Sequence, residues 1–159
     1  MRLLFVCTGN TCRSLMAEAL ASKIIDRLNL AGKLEVASAG LAAFPGAPAS
    51  IGARSVLSGE GVDVPEHKAK QLTEEMLHDA DLVLTMTAAQ KEHLADLFPE
   101  AAEKIFILKE FAQGPSPDIE EGSHDITDPF GQPESVYRQC AGELAQSIEQ
   151  AIKRIIDSG

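Results

Sequence analysis

The opening of the chain constrains its fold more than any other segment. Leu3 to Val6 is an unbroken apolar run, followed at once by the polar stretch Cys7-Thr8-Gly9-Asn10-Thr11-Cys12-Arg13-Ser14. Beyond it, Met16, Leu20, Ile24 and Leu28 fall four residues apart. A short apolar run without alternation reads as a strand buried on both faces, the kind found in parallel sheets. Apolar residues four apart read as one stripe of a helix. The first thirty residues therefore predict strand, tight polar loop and helix, with Ser14 capping a helix to about Leu30 that the Ala31-Gly32 pair ends.

The same alternation continues. Leu34 to Ser38, Asp81 to Met86 and Lys104 to Leu108 read as strands. Helices are expected from about Ala49 to Gly59, Glu74 to His78 behind Thr73, Ala88 to Leu97 behind Thr87, and Glu134 to Asp157. Pro99 stops the helix before it, and Val136, Cys140, Leu144, Ile148 and Ile152 form the buried stripe of the last one. Residues 39–48 are rich in Gly and Pro and read as loop, as does the longer stretch 112–133. Strands alternating with helices predict right-handed βαβ units in a single-domain, doubly wound, four-stranded parallel sheet flanked by helices. Its 159 residues suit one compact domain spanning 1–159. Ligands of such sheets bind beyond the carboxyl ends of the strands, which points to the loop after the first strand.

That loop has the composition of an anion site. About six residues between strand and helix can turn successive backbone N–H groups inward, and the helix N-terminus adds its own. Gly9 permits close backbone approach, and Asn10 tolerates the left-handed conformation. Arg13 offers a planar fork for two phosphate oxygens. Cys7 enters from beneath, where the field that binds an anion also favours a thiolate nucleophile, and the Ser14 hydroxyl could hydrogen-bond the sulfur. The bland alternative is a buried cysteine with a capping serine. Cleaving a phosphorus–oxygen or phosphorus–nitrogen bond also needs a proton for the leaving atom. Asp128, stiffened by Pro129 in the long loop, is the preferred donor, with Asp125, Asp118 and Glu120 as rivals on position.

Composition removes other classes. With 14 basic and 24 acidic residues the net charge is −10, which argues against nucleic-acid and anionic-membrane surfaces. Three cysteines are too few for a disulfide-framed module, and no apolar run approaches the length of a membrane span. The N-terminus lacks the long apolar core of a signal peptide, so a cytoplasmic protein is expected. His67, His78, His93 and His124 are scattered, and Cys7 and Cys12 lack the second pair of ligands that a zinc site needs, so neither metal nor cofactor is expected.

Taken in order, FVCTGNTCRS at the start, Ser-Ala-Gly at 38–40, HKAKQL at 67–72, ADLVLTM at 80–86 and DPFG at 128–131 resemble the low-molecular-weight protein phosphatases over nearly the whole chain. The resemblance implies the phosphotyrosine phosphatase I-like fold. It implies a phosphocysteine on Cys7, phosphate binding by Thr8 through Ser14, a transition-state clamp at Arg13, and Asp128 as acid and then base. Asn10, Ser14, Ser38 and His67 resemble a polar network that holds the loop in shape. Leu15 departs from the family's usual proline and removes no catalytic group. Thr11 and Phe130-Gly131 resemble bacterial protein-arginine phosphatases rather than tyrosine-specific members, which usually carry a branched apolar residue and a second aromatic there. The implied substrates are phosphorylated proteins, phosphoarginine ahead of phosphotyrosine, opposing a protein-arginine kinase in a bacterial stress pathway.

Cys12 carries two readings, small apolar packing or a reversible disulfide with Cys7 that protects the nucleophile from over-oxidation. Cys140 and Tyr137 read as structural, and Phe44 and Phe130 as pocket walls or core. Rival functions are an arsenate reductase, for which Cys140 is the one remaining cysteine, a non-catalytic phosphoanion-binding module, and a phosphotransfer component of sugar transport, against which Arg13 weighs.

Overall fold

A computed structural model describes residues 1–62, 67–114 and 124–158. Four strands, β1 (Arg2–Cys7), β2 (Glu35–Gly40), β3 (Leu82–Thr85) and β4 (Ile105–Ile107), form one parallel sheet in the order β2-β1-β3-β4. The helices are α1 (Arg13–Arg27), α2 (Ile51–Gly59), α3 (Glu74–Asp79), α4 (Ala88–Leu97), α5 (Leu108–Gln113) and α6 (Glu134–Ser158), with a 3₁₀ turn over Pro99–Lys104.

The apolar run of β1 is continuous because both faces of the sheet are covered. Leu3, Phe5 and Cys7 point into a core shared with Leu15, Met16 and Leu20 of α1, Leu57 of α2 and Leu144, Ile148 and Ile152 of α6. Leu4 and Val6 point the other way, into a core shared with Leu77 of α3, Val83 of β3 and Leu94 of α4. Cys7 pairs with Gly40 across the β1–β2 ladder, so both strands end at one level beneath the loop that follows β1. β1 also pairs with β3, while β3 is the neighbour of β4. Since β1 is followed by β2 on one side and β3 on the other, the strand order reverses beside β1, where sheets of this kind bind ligands.

Most helix ends follow from the sequence. Thr73 and Thr87 cap α3 and α4 through their hydroxyls, and Gln90 completes a capping box with Thr87. Other ends differ. Helix α1 begins at Arg13 with Cys12 at the cap and no side-chain cap bond, because the Ser14 hydroxyl is engaged elsewhere. It ends at Arg27, and Asn29 takes the left-handed turn at φ 57° before the Ala31-Gly32 pair is reached. β2 runs to Gly40, and Leu108 opens α5 rather than closing β4. Asp118 and Glu120 lie outside the described residues. Among those described, no helix is long and apolar enough to cross a membrane.

Phe5 is fully buried at the centre of the sheet. Phe5→Ala is expected to destabilise the protein by about 3–5 kcal/mol, read as a lower denaturant midpoint with an unchanged slope. A change below about 1 kcal/mol would show that the core closes over the gap.

Candidate active site

The loop between β1 and α1 turns inward because one residue accepts an unusual backbone conformation. Asn10 sits at φ 59°, in the left-handed region, and is fully buried. Its backbone N–H points at Cys7 Sγ at 3.4 Å. Its side chain is saturated: Nδ2 donates to Ser14 Oγ at 2.8 Å and to Ser38 Oγ at 2.9 Å, and Oδ1 accepts from the Lys70 N–H at 3.0 Å. His67 Nε2 lies 2.8 Å from the Asn10 carbonyl, which can only accept, so the imidazole carries a proton on that nitrogen.

Counting protons fixes the direction of the network. Asn10 Nδ2 has two hydrogens and gives both to hydroxyl oxygens. Ser38 in turn donates to Glu18 Oε2 at 2.8 Å. Ser14 Oγ, accepting from Asn10, keeps its own hydrogen to offer Cys7 Sγ, 2.8 Å away. The network predicted from Asn10, Ser14, Ser38 and His67 is thus brought together, with Glu18 and the Lys70 backbone as members not anticipated.

The loop is braced from outside. The N–H groups of Leu41 and Ala42 donate to the carbonyls of Cys7 and Thr8, both at 2.9 Å. Gln90, buried in the capping box of α4, reaches Thr8 Oγ1 with Nε2 at 3.2 Å. Ser50, the cap of α2, donates its N–H to the Thr11 carbonyl at 3.0 Å, and its hydroxyl lies 3.2 Å from Cys12 Sγ. Gly40 backs the loop so closely that a Cβ there would lie 2.6 Å from the Thr8 carbonyl oxygen and 3.1 Å from the Asn10 nitrogen. Those are main-chain atoms and cannot step aside.

Arg13 is 6 % exposed. Its Nη1 donates to the Ile126 carbonyl at 2.9 Å, and Nη2 lies 3.6 Å from Asp128 Oδ2. The Asp128 side chain is 53 % exposed, and Oδ1 accepts from the Phe130 N–H at 3.1 Å, closing a local turn. Asp128 therefore overhangs the loop with one oxygen free of the turn. Its rival Asp125 is committed elsewhere, accepting from the Ala88 N–H at 2.8 Å as an added cap on α4. Between loop and overhang lies an open cavity of about 240 Å³ lined by Cys7, Thr8, Gly9, Asn10, Thr11, Cys12, Arg13, Asp128 and Phe130. That is room for a phosphoryl group and the first atoms of what carries it. Phe130 lines this cavity, whereas Phe44 is 81 % exposed and is not among its lining residues. Cys140 is buried on α6, and desolvation pushes its thiol up to about 12, leaving it inert at neutral pH.

A sulfur faced by the Asn10 amide, with a guanidinium and a carboxylate lining the same cavity, fits the class of cysteine-dependent phosphatases. The chain belongs to the low molecular weight phosphotyrosine protein phosphatase family, whose model matches residues 2–158. A protein-arginine-phosphatase of Geobacillus stearothermophilus is 42 % identical over 154 residues, covering 97 % of this chain and 95 % of the relative. A low molecular weight protein tyrosine phosphatase of T. tengcongensis superposes with a TM-score of 0.87 at 44 % identity, covering 97 % of this chain and 99 % of that one. A YwlE arginine phosphatase variant, in which serine replaces the active-site cysteine and is phosphorylated, superposes with a TM-score of 0.88 at 39 % identity, over 98 % of this chain and 95 % of that one.

Gly40→Ala is expected to open the loop while leaving the sheet intact. Competitive inhibition by inorganic phosphate or vanadate should weaken by about 10-fold or more, the cost of one or more lost hydrogen bonds to a charged group. Inhibition constants unchanged within twofold would show that the close approach at Gly40 does not shape the anion site.

Proposed function

We propose that the protein is a single-domain phosphatase that hydrolyses phosphoarginine in proteins through a phosphocysteine on Cys7. The observation that carries this is the 2.8 Å hydrogen bond between Ser14 Oγ and Cys7 Sγ, with Ser14 also held by Asn10, at the base of a cavity overhung by Asp128. In the first step the Cys7 thiolate attacks phosphorus in line with the leaving atom. The amides of residues 8–13 and the Arg13 guanidinium gather the three equatorial oxygens, the part of the transition state where charge spreads. Asp128, protonated, gives its proton to the departing guanidino nitrogen as that atom keeps the P–N electron pair, so arginine leaves as its guanidinium and Asp128 is left as a carboxylate. In the second step the Asp128 carboxylate takes a proton from water, which attacks the phosphocysteine. Inorganic phosphate leaves, and the thiolate and the protonated carboxyl are restored.

The preference for phosphoarginine rests on three supports. One is the 42 % identity to a protein-arginine-phosphatase. Another is Thr11 in the cavity wall, whose hydroxyl suits a polar guanidinium better than an aromatic ring. The third is Asp128 itself, a half-exposed carboxyl at the mouth that can hydrogen-bond a guanidino nitrogen, which an aryl ester lacks. A second reading, phosphotyrosine, has its own observation: the T. tengcongensis tyrosine phosphatase is 44 % identical. Phe130 on the cavity rim could pack against either a ring or a planar guanidinium. The setting proposed with this activity is cytoplasmic, opposing a protein-arginine kinase in a stress response, with Cys12 available to form a reversible disulfide with Cys7.

The test is turnover of a phosphoarginine protein beside a phosphotyrosine peptide. Phosphoarginine is expected to be the faster substrate by kcat/KM, Cys7→Ser to abolish both, and Asp128→Asn to slow turnover by about 10²–10⁴-fold. Thr11→Ile should move the preference toward the aryl ester. Equal or faster phosphotyrosine hydrolysis by the unaltered protein would reverse the substrate assignment.

A further inference from the structure

Two neighbouring residues of the phosphate loop hold the two ends of the segment that carries Asp128. Arg13 holds the first end through its bond to the Ile126 carbonyl, and the Ile126 N–H donates to the Met86 carbonyl at 2.9 Å. Cys12, one residue earlier, faces the second end: its Sγ lies 3.6 Å from the hydroxyl of Tyr137, in the first turns of α6. The segment 126–137 is thus strung between adjacent residues, with Asp128 on it.

The Tyr137 contact is built rather than incidental. The phenol ring lies flat over Gly52 of α2, where a Cβ would overlap ring atoms. Glu134, three residues earlier, accepts from Ser55 Oγ at 2.8 Å, fixing the start of α6 to the same helix. Ser50, which caps α2 and binds the Thr11 carbonyl, brings its hydroxyl to the same sulfur. Tyr137 is 4 % exposed, and its burial raises the phenol above its ordinary value, with the Asp128 charge adding to the shift, so it stays protonated and able to donate.

We infer that the Tyr137 hydroxyl, bonded to Cys12, is a positioning group for the general acid. It ties the start of α6 to the phosphate loop and so sets how far the Asp128 carboxyl reaches over the bound phosphoryl group. The inference rests on the reading of Asp128 as the acid. It treats Tyr137 as acting through Asp128, with no contact to the substrate.

A misplaced acid has a signature that loss of stability lacks. Substrates with poor leaving groups need the proton, and those with good ones do not. Tyr137→Phe keeps the ring on Gly52 and removes the hydroxyl alone. Its kcat/KM should fall about fivefold or more for phenyl phosphate and less than about twofold for nitrophenyl phosphate. In an Asp128→Asn background the same substitution should no longer discriminate between the two esters. An equal fall on both esters, no fall on either, or discrimination that persists without Asp128 would each overturn the inference. The Asp128→Asn variant by itself separates the two levels of the argument. If it too slows both esters equally, the acid assignment falls and takes the inference with it. If it discriminates and Tyr137→Phe does not, only the tether is lost.

Discussion

The site depends on the conformation of Asn10. A left-handed backbone at a buried non-glycine residue is costly on its own, and here every polar atom of the side chain opposes that cost. The two amide hydrogens and the amide oxygen are bonded to three separate parts of the fold, α1, β2 and the segment beside β2. The main-chain carbonyl is held by His67. Turning Asn10 back would break these four hydrogen bonds, each worth roughly 0.5–1.5 kcal/mol. Together they offset a strain of about 1–3 kcal/mol and hold the Asn10 N–H toward the Cys7 sulfur.

The sheet serves this loop. β1 and β2 end in register at Cys7 and Gly40, so the chain leaving β1 must turn above the chain leaving β2, and only glycine at 40 lets the two main chains meet. Helix α1 is pinned by packing on both the sheet and α6, so its N-terminus, with Arg13, stays aimed at the loop. Arg13 then serves two purposes. It lines the anion cavity, and its bond to Ile126 holds the segment that carries Asp128. The loop below the cavity and the carboxyl above it are therefore fixed to one another as well as to the scaffold.

Much of this was legible in the sequence, and the reason lies in the number of constraints each residue carries. Leu3 to Val6, the four-apart stripe of α1, and Thr73 and Thr87 ahead of α3 and α4 obey local rules, so they could be read locally. The loop residues Cys7, Asn10, Arg13 and Ser14 could be read because strand, loop and helix are adjacent in the chain. What was not legible depends on distant contacts. Ser14 looks like a cap by local rules, yet its hydroxyl is drawn to Cys7 and Asn10. Glu18 looks like an exposed helix carboxylate until Ser38 from β2 arrives beside it. Asp125 and Asp128 are equivalent by position, and only the end of α4 separates them, by binding Asp125. Tyr137 reads as core until the ring is seen on Gly52 with its hydroxyl at Cys12, a pairing 125 residues apart in sequence. Phe44, a candidate pocket wall, is instead 81 % exposed and lies outside the cavity lining.

The central claim is that Asn10 directs the Ser14 proton to the Cys7 sulfur. The most direct measurement is the rate at which iodoacetate alkylates Cys7 at one fixed pH, since the thiolate is the attacking form of any cysteine. Ser14→Ala and Asn10→Ala should both slow alkylation relative to the unaltered protein, and the double variant should be no slower than the slower of the two, because both act through one bond. Alkylation as fast in either single variant as in the unaltered protein, or additive slowing in the double variant, would contradict the claim.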